Sequence, residues 1–161
     1  MKTFLAFVTS VALLARIAFA QDAPPDQVAM GKTVYMTVCF ACHQPTGLGI
    51  PPVFPPLTKS EYVNGAAERF AAMILKGNAG PMTIEGKPYN MIMPGQEALL
   101  TDEKIAAVMT FVRSSFGNSA PAVAADVVAA ARKKYVDRKT PWTEPELKAW
   151  KDDSVPAAAA K

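Results

Sequence analysis

The sequence predicts a small all-α domain whose core is not made of side chains alone. Three observations point there. Apolar residues recur at helical spacing in several segments, each flanked by residues that start or stop helices. No segment shows the strict apolar/polar alternation of a half-buried strand. Two long stretches, 44–58 and 78–100, are crowded with Gly and Pro, which is anomalous in a compact domain unless they wrap something large. The 161 residues, 50% hydrophobic and 19% charged, suit one domain with an appendage and exclude wholesale disorder. A net charge of +3 is too small for a nucleic-acid binder with its dense basic stripe.

Residues 1–20 are read as a cleaved export signal. Lys2 supplies a positive start, Phe4 to Phe19 is apolar apart from Thr9, Ser10 and Arg16, and Ala18-Phe19-Ala20 offers the small-x-small cleavage pattern. A retained membrane anchor is the alternative, but the run is short for a span and carries an Arg. No Cys lies near the cut, so a lipoprotein is excluded. Removal takes Lys2 and Arg16 and no acid, lowering the formal charge from +3 to +1. No other segment is long and apolar enough to span a bilayer, so the expected product is a periplasmic protein with no membrane span.

Residues 21–26, with Pro24 and Pro25, form a leader, and Asp26 is the expected N-cap of a helix over Val28–Val38. Gly31 inside that helix costs about 1 kcal/mol relative to Ala and points to close approach of another element. After the first irregular stretch, Ser60 caps a short turn through Tyr62. A helix over Ala66–Lys76 follows, with Phe70, Met73 and Ile74 on one face and Gly77 as its stop. Beyond the second irregular stretch, Thr101 caps the best helix. Asp102 and Glu103 suit its positive end, Ile105, Val108, Met109 and Val112 make its stripe, and Gly117 ends it. A last long helix is expected from Ser119-Ala120-Pro121 to about Asp137, and Pro156–Lys161 as a disordered tail.

The chain holds two cysteines and one histidine, all within Cys39-Phe40-Ala41-Cys42-His43. C-x-x-C-H is the attachment signature of c-type haem: cysteines at i and i+3 reach two vinyl groups on one side of a porphyrin, and the histidine that follows points at the iron. A thioredoxin-like pair would follow a strand in a βαβ unit, and none is evident. Zinc needs about four ligands, and only three such residues exist unless carboxylates are recruited. A structural disulfide across two intervening residues closes a tiny loop and adds little stability.

With His43 the only histidine, a bis-histidine iron within one chain is impossible. The sixth ligand is then a Met, Lys, Tyr, terminal amine, water or nothing. Met30 and Met36 precede the motif on its own helix, while Met73 and Met109 lie on core stripes. Met82, Met91 and Met93 in the second irregular stretch remain. Met93 ranks first, ahead of Met91 and then Met82. It lies eight residues before Thr101, Pro94 fixes the chain beside it, and the 50 residues from His43 suffice to cross a haem.

Cys39 to His43, the Gly31-x-x-x-Tyr35 helix, Pro55-Pro56-Leu57, Tyr89-Asn90-Met91-Ile92-Met93-Pro94 and Leu100 to Val108 leading to Phe111-Val112-Arg113 together resemble a class I cytochrome c over residues 27–118. The resemblance implies the class I cytochrome c fold, short helices and long loops wrapped on haem. It also implies a first and last helix crossing at Gly31 and Tyr35 against Phe111. By the same resemblance the Pro55 carbonyl accepts the His43 Nδ1 proton, Met93 is the axial methionine, and Tyr89 or Asn90 donates to its sulfur or to a propionate. Pro94-Gly95 stands where many relatives have Pro-Pro.

Residues 119–155 form a C-terminal helical extension. Val123, Val127, Val128, Ala131 and Tyr135 share a face, and Arg132, Lys133, Lys134, Arg138 and Lys139 make the densest basic cluster, either a solvated face or a docking patch for an acidic partner. Pro141-Trp142-Thr143-Glu144-Pro145-Glu146-Leu147 resembles a tail motif of some bacterial monohaem cytochromes and dehydrogenase cytochrome domains, with Trp142 and Leu147 clipping it to the surface. The expected function is a non-enzymatic periplasmic electron carrier holding one covalent haem c. Its donor and acceptor would be redox proteins, a dehydrogenase and/or an oxidase. A cytochrome subunit of a dehydrogenase complex, and a haem sensor or enzyme with an open distal site, are the competing readings.

Overall fold

The computed structural model describes residues 24–151. The export segment 1–20, the first part of the leader, the end of the extension and the 156–161 tail lie outside the described residues. In chain order the elements are α1 (Pro25–Val34), a π-helical turn (Tyr35–Cys39), α2 (Phe40–His43), α3 (Glu61–Asn64) and α4 (Ala67–Lys76). Then come β1 (Gly77–Asn78), β2 (Met82–Ile84), β3 (Lys87–Tyr89), β4 (Met93–Pro94), α5 (Asp102–Arg113), α6 (Ala125–Lys134) and α7 (Glu144–Lys148).

The first helix starts earlier than its sequence suggested. Pro25 stands at its beginning, where a missing N–H costs nothing, and Asp26 lies in the first turn rather than at the cap. Nor does it stop at Val38: the π-helical turn carries it on into α2 as far as His43. α1 packs most extensively on α5. Gly31 is the reason the two can touch, since a Cβ there would collide with the Ala107 carbonyl oxygen and lie 2.7 Å from the Phe111 Cβ. One turn on, the buried Tyr35 ring packs at 5.5 Å from Phe111 and 5.2 Å from Phe116.

The caps behave as their chemistry requires. Ser60 Oγ accepts from the Tyr62 N–H and Thr101 Oγ1 from the Lys104 N–H. Gly77 ends α4 with a φ of 75°. Helix α5 stops at Arg113, ahead of Gly117, and Phe116 and Gly117 both take left-handed φ in the turn beyond.

Two small antiparallel ladders correct the expectation of no strands, within a fold that is mainly helical. β1 pairs with β4 (Gly77 with Pro94, Asn78 with Met93), and β2 pairs with β3 around Glu85 and Gly86, both at positive φ. Strands of two or three residues are too short to display alternation.

The last long helix is also corrected: α6 begins at Ala125, and 119–124 is an extended strap. Side chains hold that strap by its backbone. Thr110 Oγ1 accepts from the Val123 N–H at 2.9 Å, and Arg113 Nε donates to the Pro121 carbonyl at 2.8 Å. Helix α6 then covers α4 and α5, burying Val128 and Ala131. Trp142 and Leu147 are buried in a second apolar cluster with Tyr62, Met73 and Met82, clipping the chain end onto the domain.

Candidate haem site

Cys39, Cys42 and His43 stand at the end of the helix that begins with α1, and all three line one large apolar cleft. Including its open mouth, the cleft encloses about 1290 Å³. Phe70, Met73 and Ile74 from α4 and Val108 and Val112 from α5 contribute to its walls, as do parts of both irregular stretches. Those stretches are long because they line this space, and among the described residues no Asp, Glu, Lys or Arg reaches it.

Both cysteines are free thiols. Burial, and secondarily the charge Cys42 would carry, push the Cys39 thiol up to about 11. A dithiol oxidoreductase needs the opposite, a thiolate stabilised near neutrality. Among the described residues, no group of three or more His, Cys, Asp or Glu is placed to hold a metal ion.

The His43 Nδ1 lies 3.0 Å from the Pro55 carbonyl oxygen. A carbonyl only accepts, so the proton sits on Nδ1 and Nε2 keeps its lone pair. Burial lowers the His43 pKa, with the Pro55 contact acting in the opposite direction, which favours the neutral ring. Tyr35 fixes the turn beyond it by donating to the Gln44 carbonyl at 2.6 Å. Gly49 lets the Pro55 segment come close, since a Cβ there would lie 2.5 Å from the Pro55 carbonyl oxygen.

Met82, Met91 and Met93 all line the cleft. Met82 is buried and its sulfur receives a 2.8 Å contact from Asn78 Nδ2, whereas Met91 is 46% exposed. Met93 is half-buried against the main core, on β4. Tyr89 is buried in the cleft wall, but Asn90 is exposed and outside the lining. The Gly95 that replaces the usual second proline has a steric cause. A Cβ there would lie 2.6 Å from the Leu75 carbonyl oxygen.

Several wall residues escaped the sequence reading, among them Tyr62, taken only as the end of a turn, and Asn78, which nothing singled out. The hydroxyls of Tyr62 and Tyr89 are buried without a hydrogen-bond partner among the described residues. Orphaned buried hydroxyls are costly, and both tyrosines line the cleft. The residues therefore fit haem: apolar walls for a flat macrocycle, two thiols on one helical turn, an imidazole with a free Nε2, thioethers, and hydroxyl donors suited to carboxylates.

A helical shell around such a cleft, with C-x-x-C-H on its wall, defines a covalent haem-binding domain. The chain belongs to the cytochrome c family, whose model matches residues 28–116. Cytochrome c-552 of Thermus thermophilus is 34% identical over 122 residues, covering 73% of this chain and 74% of that protein. The cytochrome c subunit of alcohol dehydrogenase (quinone) from Gluconobacter oxydans is 34% identical over 92 residues, 56% of this chain and 19% of that one. A solved structure, cytochrome cL from Methylophaga aminisulfidivorans, is similar with a TM-score of 0.40 at 20% identity, over 84% of this chain and 73% of that chain. Family membership together with the Cys39/Cys42 pair implies a covalent haem c. Among the described residues, no helix is long and apolar enough to cross a membrane.

Proposed function

We propose that the protein is a periplasmic one-electron carrier that holds haem c through Cys39 and Cys42, with His43 and Met93 as the axial ligands of its iron. The observation carrying this reading is the convergence of both thiols, His43 and Met93 on one apolar cleft that no Asp, Glu, Lys or Arg enters among the described residues. Haem c supplies an iron that takes up and gives back one electron at a time. Cys39 and Cys42 would hold the haem covalently through their sulfurs. His43, with its proton held on Nδ1 by Pro55, offers Nε2 and gains basicity from that hydrogen bond. Met93 offers a neutral thioether, which favours the ferrous state and raises the potential. Phe70, Ile74, Val108 and Val112 exclude water, which limits reorganisation when charge moves.

Tyr89 and Tyr62 are the donors we assign to the propionates, because their hydroxyls are otherwise orphaned. The domain responsible is 27–118, and residues 1–20 are read as the export segment removed from the mature protein. The absence of an acid–base pair from the cleft, among the described residues, supports carriage over catalysis. The mass of protein matured with its haem tests the attachment. It should exceed the polypeptide by one haem, and the excess should disappear in Cys39→Ala/Cys42→Ala. A redox titration should follow a one-electron curve. A matured protein without covalent haem would contradict the reading.

A second reading, a cytochrome subunit of a dehydrogenase complex, is favoured by the likeness to the alcohol dehydrogenase (quinone) subunit. Purification from the native host separates the two: a lone chain supports the free carrier, a stable dehydrogenase complex the subunit.

A further inference from the structure

We propose that the C-terminal extension braces the Met93 segment from both sides, with Trp142 and Arg132 as positioning residues that hold the thioether at the iron. The proposal rests on Met93 being the axial ligand.

Met93 belongs to β4, whose ladder partner β1 gives it only two residue pairs. So short a ladder is marginal alone. The other edge of β1 is occupied by Trp142, which pairs in parallel with Asn78. The Trp142 N–H donates to the Gly77 carbonyl at 2.9 Å, and the Ala79 N–H donates to the Trp142 carbonyl at 2.9 Å. β1 is therefore a central strand between the extension and Met93. The Trp142 side chain fixes this edge in place. Its Nε1 donates to the Ala72 carbonyl at 3.0 Å, and its ring packs at 5.1 Å from Tyr135 beneath the Arg138 guanidinium at 3.6 Å.

The second brace acts downstream. Arg132 on α6 donates to the carbonyls of Glu97 and Leu100 at 2.8 and 2.9 Å, and to Asp102 Oδ1 at 2.7 Å. Those three residues span the chain between Met93 and α5. One side chain with three acceptors on a six-residue segment limits how far that segment can swing. A neutral thioether binds iron weakly, so the geometry in which it is presented decides whether it stays bound.

This use also accounts for the basic cluster. Arg132 pairs with Asp102, Lys134 with Glu68 and Arg138 with Glu146. Three of the five cations the sequence grouped there are thus engaged by the chain's own acids.

The test uses the haem-loaded, full-length protein and reads two quantities: the methionine–iron charge-transfer band of the oxidised form and the carbon monoxide affinity of the reduced form. Trp142→Ala and Arg132→Gln should each weaken the band and raise the affinity, on the order of tenfold, the ratio corresponding to about one hydrogen bond's worth of lost anchoring. Trp142→Phe, which keeps the ring stacking but loses the Nε1 donor, should give a smaller change in the same direction and serves if Trp142→Ala does not mature. Met109→Ala, a fully buried substitution on α5 outside the cleft, controls for general destabilisation. The brace is overturned if Trp142→Phe and Arg132→Gln leave both readouts at the parent values, or if Met109→Ala moves them as far. If Met93→Ala itself keeps the parent band and affinity, it is the ligand assignment that fails.

Discussion

Gly31 and Ala107 meet backbone to backbone: a Cβ on Gly31 would collide with the Ala107 carbonyl oxygen. That contact sets the crossing of α1 and α5, and the helix it positions ends in both cysteines and His43. At an open helical site, Gly→Ala would add about 1 kcal/mol of stability. Here Gly31→Ala is expected to cost about 1–3 kcal/mol or more, because neither backbone can give way. Denaturant unfolding of the haem-loaded protein checks it, and a gain in stability would contradict the crossing.

Gly49 controls the partner of His43. Its φ of 64° suits glycine, and a Cβ there would collide with the Phe54 carbonyl oxygen and crowd that of Pro55. Gly49→Ala should push Pro55 away from Nδ1, leaving a less basic imidazole that stabilises ferric iron less. The reduction potential should rise by something on the order of tens of millivolts. Potentiometry on parent and variant measures it, and an unchanged or lower potential would count against the role given to Pro55.

The hydroxyls of Tyr62 and Tyr89 have no partner among the described residues. If each donates to a propionate, Tyr62→Phe and Tyr89→Phe should cost the haem-loaded protein about 1 kcal/mol apiece. Equal or greater stability in the variants would show that these hydroxyls stay unpaired.

Acid should loosen the end of the extension chiefly through Glu146, with Glu144 on the same helix also held below its ordinary value. Arg138 first, and then the Thr143 hydroxyl and N–H, hold Glu146 down at about 2 against an ordinary 4.5. Because the folded value is the lower one, the contribution is complete above about 4.5 and is lost as pH falls toward 2. Arg138 also lies over the Trp142 ring, so tryptophan fluorescence should report the loss. The transition should be clearly smaller in Glu146→Gln, which lacks that carboxylate at every pH while Glu144 and Glu68 still titrate. A parent-like acid transition in that variant would contradict the assignment.

What could be read in advance divides along local and non-local lines. Cys39, Cys42 and His43 are one motif within five residues, and their chemistry follows from spacing alone. The Ser60 and Thr101 caps and the Gly77 stop were readable for the same reason, and Gly31 was readable as a helical glycine needing an explanation. The start of α6 was not. Ser119-Ala120-Pro121 has the composition of a helix start, but Thr110 and Arg113 on α5 claim the strap's backbone groups first. Tyr62 and Asn78 carry no local sign of facing a cleft, because only the meeting of distant segments creates it. The β2–β3 hairpin lay hidden in the Gly- and Pro-rich stretch 78–100, because its three-residue strands are too short to show alternation. Asn90, next to Tyr89, is exposed and lies outside the cleft lining.

The most direct test of the central claim is the optical spectrum of the haem-loaded protein, oxidised and then reduced under carbon monoxide, compared with Met93→Ala. Closed His43/Met93 ligation predicts a low-spin oxidised form with a methionine–iron charge-transfer band, no ready carbon monoxide binding, and loss of the band with gain of carbon monoxide binding in the variant. Ready carbon monoxide binding by the unsubstituted protein would contradict the closed site and turn the reading from electron carriage to sensing or catalysis.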